Sequence, residues 1–191
     1  MYILLLLLIY LAFISLGLPD SLLGSAWPVM HEAFQVPLSY AGMVTMIISG
    51  GTICSSLMSE RLTKKFGTQI VTVFSVMLTA IALFGFSTAS AFWMLCLWAI
   101  PYGLGAGAID AALNNYVALH YNSRHMSWLH CFWGLGTIIS PYVMSYALTT
   151  SVWQNGYRMV SFIQIGITLI LFVTLPVWKV NKKEVTQEEK A

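Results

Sequence analysis

Two carboxyl groups, Asp20 and Asp110, stand in stretches otherwise almost free of charge, "LGLPDSLLGS" over 16–25 and "GAGAIDAALNN" over 105–115. An ionised carboxylate in hydrocarbon costs at least about 2.5 kcal/mol, so such acids face a bundle interior or a watery cavity. There they can exchange protons or hold a polar solute. A purely structural role would need a buried cation, and no Lys or Arg lies in mid-span to supply one. His130 is a third titratable group in an apolar stretch; a lone histidine there is more often a hydrogen-bonded structural residue than a proton carrier, and both readings stay open. Trp27, Trp133, Asn114 and Asn115 could offer flat apolar faces and hydroxyl-bonding amides to a small polar solute. Tryptophan also crowds membrane interfaces for reasons unrelated to a ligand.

The elements that must position these residues are membrane helices. Of 191 residues, 58% are hydrophobic and 8% charged, against about 25% charged in a soluble domain. A membrane helix needs roughly 20 mostly apolar residues. Six such stretches are predicted, at about 3–30, 38–59, 69–87, 91–119, 126–149 and 157–178. They make one all-α integral membrane bundle over 1–178, with a polar tail over 179–191. The first stretch lacks the basic n-region and cleavage site of a secretory signal, and is kept as a span. Charge or turn signals mark three boundaries, "HEAFQVP", "ERLTKKFGT" and "HYNSRH".

Orientation follows from the cations. Arg61, Lys64, Lys65, Arg124, Lys179, Lys182, Lys183 and Lys190 all fall on one side of a six-span chain, and Arg158 alone falls opposite. Lys and Arg concentrate on the cytoplasmic side, so both termini are expected there, in a multi-pass protein of the cell (inner or plasma) membrane. A net charge of +2 gives no reason to expect a nucleic-acid partner. Cys54, Cys96 and Cys131 lie in different stretches without a CxxC or Cys/His cluster, so no disulfide framework, metal or cofactor is expected.

At helical spacing the polar residues fall into stripes. Span 1 gives Gly17, Asp20, Gly24, Trp27 and His31; span 4 gives Gly103, Gly107, Asp110, Asn114 and Tyr121. Span 2 gives Gly42, Thr45, Ser49, Thr52 and Ser56; span 5 gives Ser127, His130, Gly134, Thr137 and Pro141. Spans 1, 2, 4 and 5 are therefore expected to line a central space, with spans 3 and 6 toward lipid. Small residues also serve close helix packing, a reading that stays open for Gly103, Gly107 and the span 2 stripe. A shift of 90 residues places Asp20 on Asp110, Gly17 on Gly107 and Leu23 on Leu113, a shared G-x-x-D-x-x-L. Three-span units 1–3 and 4–6 would then be inverted repeats, the arrangement of many secondary transporters. Pro19, Pro101 and Pro141 each remove a backbone donor and are expected to break their helices.

These residues resemble the N-terminal six-helix half of the major facilitator superfamily. "SSLMSERLTKKFGT", Ser55 to Thr68, is similar to the superfamily's loop 2-3 motif, G-x-x-x-D-R-x-G-R-R. Glu60, Arg61, Lys64 and Lys65 match its charged positions, while Ser56 and Thr63 replace the glycines and Glu60 the aspartate. The resemblance implies a gating charge latch between helices; positive-inside topology alone would produce the same cluster. "SLGLPDSLLGSAWP" and "GAGAIDAALNNYVALHY" resemble the first and fourth helices of the fucose permease-like sugar:proton symporters. In that group acids in those helices serve proton coupling and sugar binding, and Asp20 and Asp110 match their positions. Family members carry twelve helices in one chain, against six here.

The expectation is a secondary active transporter or half-transporter, taking up a sugar or similar small polar solute with protons. The alternatives are efflux by the same fold, or a truncated or regulatory half without transport of its own. An enzyme is not expected: neither the G-x-S-G of an intramembrane serine protease nor H-E-x-x-H occurs. Six helices leave a cavity half-walled, so the expected partners, besides lipid, solute and protons, are a second copy in a parallel homodimer or a second six-helix half.

Overall fold

A computed structural model describes residues 2–178; the predicted tail, with Lys179, Lys182, Lys183 and Lys190, lies outside them. Span 1 is two helices, α1 (Tyr2–Asp20) and α2 (Leu22–Ala33), separated at Ser21. A 3-10 turn over Leu38–Tyr40 leads into α3 (Ala41–Phe66), followed by α4 (Thr68–Thr88) and α5 (Phe92–His120). α6 (Ser123–Thr150) and α7 (Trp153–Val173) complete the bundle. Six spans long and apolar enough to cross a membrane are present among the described residues.

Several details depart from the sequence reading. The charged segment after span 2 is helical through Phe66, and the chain turns at Gly67, whose φ of +88° only glycine adopts without strain. Span 6 begins at Trp153, earlier than the expected 157, and after a turn at Thr174 the chain is helical again over 175–178. Pro101 and Pro141 lie inside unbroken helices, because neighbouring helices and local adjustment accommodate the lost bond. Only at Pro19 does a helix end, one residue later.

The helices pair in a crossed pattern, α1 with α6 and α3 with α5, while α4 packs on both α5 and α7. Lipid tails are as apolar as leucine, so close backbone approach holds membrane helices together more than hydrophobicity does. Glycines provide that approach. A Cβ on Gly107 would strike the backbone of Thr52, and one on Gly51 would meet Leu104 N at 3.1 Å. At the other crossing, a Cβ on Gly17 would meet Thr137 N at 3.2 Å, and one on Gly136 would strike the Ile14 carbonyl. The crossings correspond position by position. Subtracting 90 carries Gly107 to Gly17 and Leu104 to Ile14, while adding 85 carries Thr52 to Thr137 and Gly51 to Gly136. The repeat seen in G-x-x-D-x-x-L thus extends to the packing of the two three-helix units.

Hydroxyls reinforce the α3–α5 crossing: Thr52 Oγ1 donates to the Gly103 carbonyl at 3.3 Å, Ser56 Oγ to Gly107 at 3.1 Å and Ser59 Oγ to Ala108 at 3.2 Å. Much of the span 2 and span 4 stripes is therefore packing surface. Spans 3 and 6 also differ from expectation. α4 is the most buried span; only its outer residues, such as Phe74, Ile81 and Phe84, are exposed, beside Phe162, Leu169 and Phe172 of α7. Between them lies a buried polar cluster of Thr79, Ser161, Gln164 and Thr168, which composition alone did not single out.

Candidate functional site

Asp20 is the last residue of α1, where the helix stops, and two other helices reach it. Tyr102 Oη of α5 donates to Oδ1 at 3.0 Å, and Trp133 Nε1 of α6 donates to Oδ2 at 2.8 Å. Each carboxylate oxygen thus accepts a bond from a different helix. Asp110, on α5, receives one bond at Oδ1 from Asn114 Nδ2 of the same helix at 3.0 Å.

Both acids line one open cavity of about 320 Å³, with Phe13, Leu16, Ile48, Thr52, Tyr102, Ala106, His130 and Trp133. These residues come from α1, α3, α5 and α6, the four spans expected to converge, and none comes from α4 or α7. A second cavity of about 240 Å³ shares Asp20, Ile48 and Tyr102, and adds Pro19, Gly24, Thr45 and Tyr157. Asp20 and Tyr102 therefore border both spaces. His130 stands edge-on to Phe13, ring centroids 6.1 Å apart.

Other expected residues lie elsewhere. Trp27 is buried, and its Nε1 donates to the Leu38 carbonyl at 2.7 Å, tying α2 to the turn that follows it. Asn114 faces Asp110 without lining either cavity. Asn115 borders a third, polar cavity of about 460 Å³ with Ser56, Ser59, Glu60 and Lys64. Glu60 pairs with Lys64 one turn on, at 2.6 Å, on the exposed surface of α3; within this bundle that ion pair stays on one helix. Lys65 lies 5.2 Å from the Phe66 ring centroid, and Arg61 is exposed at the same helix end.

Tyr102 was not anticipated. The span 4 stripe was drawn through Gly103 and Gly107, which face α3, whereas the cavity face runs Tyr102, Ala106, Asp110 at i, i+4, i+8. One residue is about 100° on a helix, enough to exchange a packing face for a cavity face. The spacing from Asp110 to Tyr102 was the available signal.

Residues 9–191 match the Major Facilitator Superfamily. The chain is similar to "Bypass of stop codon protein 6" of Saccharomyces cerevisiae, 24% identical over 163 residues, covering 84% of this chain and 33% of that protein. It is also similar to the glucose/mannose transporter GlcP of Bacillus subtilis, 23% identical over 152 residues, covering 78% of this chain and 37% of that protein. The chain spans about a third of the length of these curated relatives.

Proposed function

The chain belongs to the major facilitator superfamily of membrane transporters, and from that premise we propose that it forms one half of a proton-coupled carrier for a sugar or a similar small polar solute. The observation that carries the reading is the convergence of Asp20, Asp110 and His130 from three helices on one cavity. Proton coupling needs groups that gain and lose charge where access alternates. Asp110 is the better placed of the two acids to do so, because among the described residues the hydrogen bond to its carboxyl comes from its own helix. Asp20 joins three helices, so a change in its charge would be felt by α1, α5 and α6 together.

A sugar is favoured by the cavity's mixture of an exposed indole, Trp133, a phenyl, Phe13, and polar groups able to meet hydroxyls. The likeness to a protein described as a glucose/mannose transporter supports the same substrate class. The cavity is open between α1, α3, α5 and α6, and a second six-helix unit, either a copy of this chain or a separate half, would close it. With Arg61, Lys64, Lys65 and Arg124 at one end of the bundle and Arg158 at the other, that first end is cytoplasmic by the positive-inside rule.

The test is reconstitution in lipid vesicles, with labelled glucose, mannose and fucose offered with and without an inward proton gradient. Gradient-driven uptake that Asp110→Asn abolishes without loss of expression is the expected result. Undiminished uptake in that variant would remove Asp110 from the mechanism. The mass of the chain in nanodiscs fixes whether the closing unit is a second copy.

A further inference from the structure

Pro19 has no amide hydrogen, so the carbonyl four residues earlier in α1, that of Ser15, loses its helical donor. Ser15 is 1% exposed, and a buried carbonyl without a partner is costly in a membrane. The missing donor comes from another helix: Gln164 Nε2 of α7 donates to the Ser15 carbonyl at 2.6 Å. A carbonyl can only accept, which fixes the orientation of the amide. Gln164 Oε1 then faces Thr79 of α4, whose hydroxyl lies 3.1 Å away and shares its one proton between Gln164 and the Val76 carbonyl. Gln164 itself is 1% exposed, so water does not compete for these bonds. The contact spans 149 residues of sequence and joins the α4–α7 pair to the turn of α1 that immediately precedes Asp20.

We propose that Gln164 is a positioning residue, replacing the backbone bond that Pro19 removes and thereby fixing the break of helix 1 and the place of Asp20. α4 and α7 contribute no side chain to the main cavity, yet they hold the turn of α1 that leads to Asp20 and the break before α2. The geometric claim is independent of transport; its consequence for Asp20 rests on the function proposed above.

The test uses the full chain in nanodiscs with Cys54, Cys96 and Cys131 replaced by alanine and a reporter thiol introduced as Gly24→Cys. Gly24 is exposed beyond the break, and a Cβ there meets nothing within 4 Å. Gln164→Met keeps the length of the side chain and removes its donor. It is expected to raise the maleimide labelling rate of the reporter by about fivefold or more, as a freed buried acceptor loosens the break. Ser161→Ala, which removes a different buried bond from α7 to α4, Ser161 Oγ to the Ala80 carbonyl at 2.8 Å, should lower the melting temperature and leave labelling unchanged. Pro19→Ala restores an amide hydrogen for Ser15, so Gln164→Met on that background should return labelling to the parent rate. The proposal is overturned if Gln164→Met leaves labelling unchanged, if Ser161→Ala raises it equally, or if Pro19→Ala does not suppress the effect. None of these readouts requires a transported substrate, so a failure here is separable from a failure of the transport reading.

Discussion

Trp133 donates its indole N–H to Oδ2 of Asp20 across 113 residues of sequence, closing the α1–α6 crossing just above the place where the backbones of Gly17 and Gly136 touch their neighbours. The bond and the glycine contacts act on the same pair of helices, so the position of the acid and the packing of the crossing are one arrangement.

Trp133→Phe keeps an aromatic ring in the cavity and removes the donor. Because Trp133 is 38% exposed, water can take the place of the indole, and the expected loss of stability is modest, about 1 kcal/mol. Thermal unfolding in detergent measures that loss. Vesicle uptake should suffer more than stability does, and equal, small losses in both would leave Trp133 a packing residue.

Gly107→Ala places a methyl group against the Thr52 backbone, and Gly17→Ala places one against Trp133 and Thr137. Overpacking of this kind costs about 1–3 kcal/mol, and the two variants should lose stability to a similar degree because they occupy corresponding positions. Gly134→Ala is the control, since a Cβ there meets nothing within 4 Å, and its melting temperature should match the parent.

Glu60→Gln breaks an exposed ion pair between residues one turn apart, and solvent and salt screen such surface pairs so that they add little to stability. The melting temperature of the isolated bundle should therefore barely move. If Glu60 serves as a latch against a second unit, uptake falls while the monomer's stability does not. Unchanged uptake would leave Glu60 as a surface helix pair.

Asp20→Asn keeps one acceptor oxygen for the donor-only Trp133 Nε1 and turns the other into an amide donor, so Tyr102 Oη must reverse its role and accept, and the charge that strengthens both bonds is lost. Both stability and gradient-driven uptake are expected to fall. Asp110→Asn, whose carboxyl accepts from Asn114 of the same helix, should spare stability and abolish coupling. Identical profiles for the two variants would contradict the division of roles between the acids.

What the sequence made visible follows from how local each signal is. Apolar length is local, so all six spans were legible, and so was the convergence of spans 1, 2, 4 and 5, which carry the intramembrane acids and small polar residues. Which side of a helix faces the cavity is less local. Gly103 and Gly107 looked like part of the stripe of Asp110, but a glycine faces wherever another backbone comes close, and here that is α3. Proline signals were ambiguous for a similar reason: Pro19, Pro101 and Pro141 look alike in sequence, and only the first stands where a helix ends. Gln164 carries no local signal because its partner, Ser15, is 149 residues away, and for Tyr102 only the i, i+4, i+8 spacing to Asp110 is local, its partner Asp20 being 82 residues away.

The crossed pairing also governs the order in which the protein can be assembled. Ribosomes add about 5–20 residues per second, so Trp133 follows Asp20 out of the ribosome roughly 6 to 23 seconds later. Throughout that interval the first span lacks its glycine contact with α6 and the indole donor for its carboxyl group, and until Tyr102 is made it lacks the other donor as well. The uninterrupted apolar run from Ile3 to Ile9 must hold that span in the bilayer unaided, and the nascent bundle depends on this leucine-rich stretch until its fourth and fifth spans arrive.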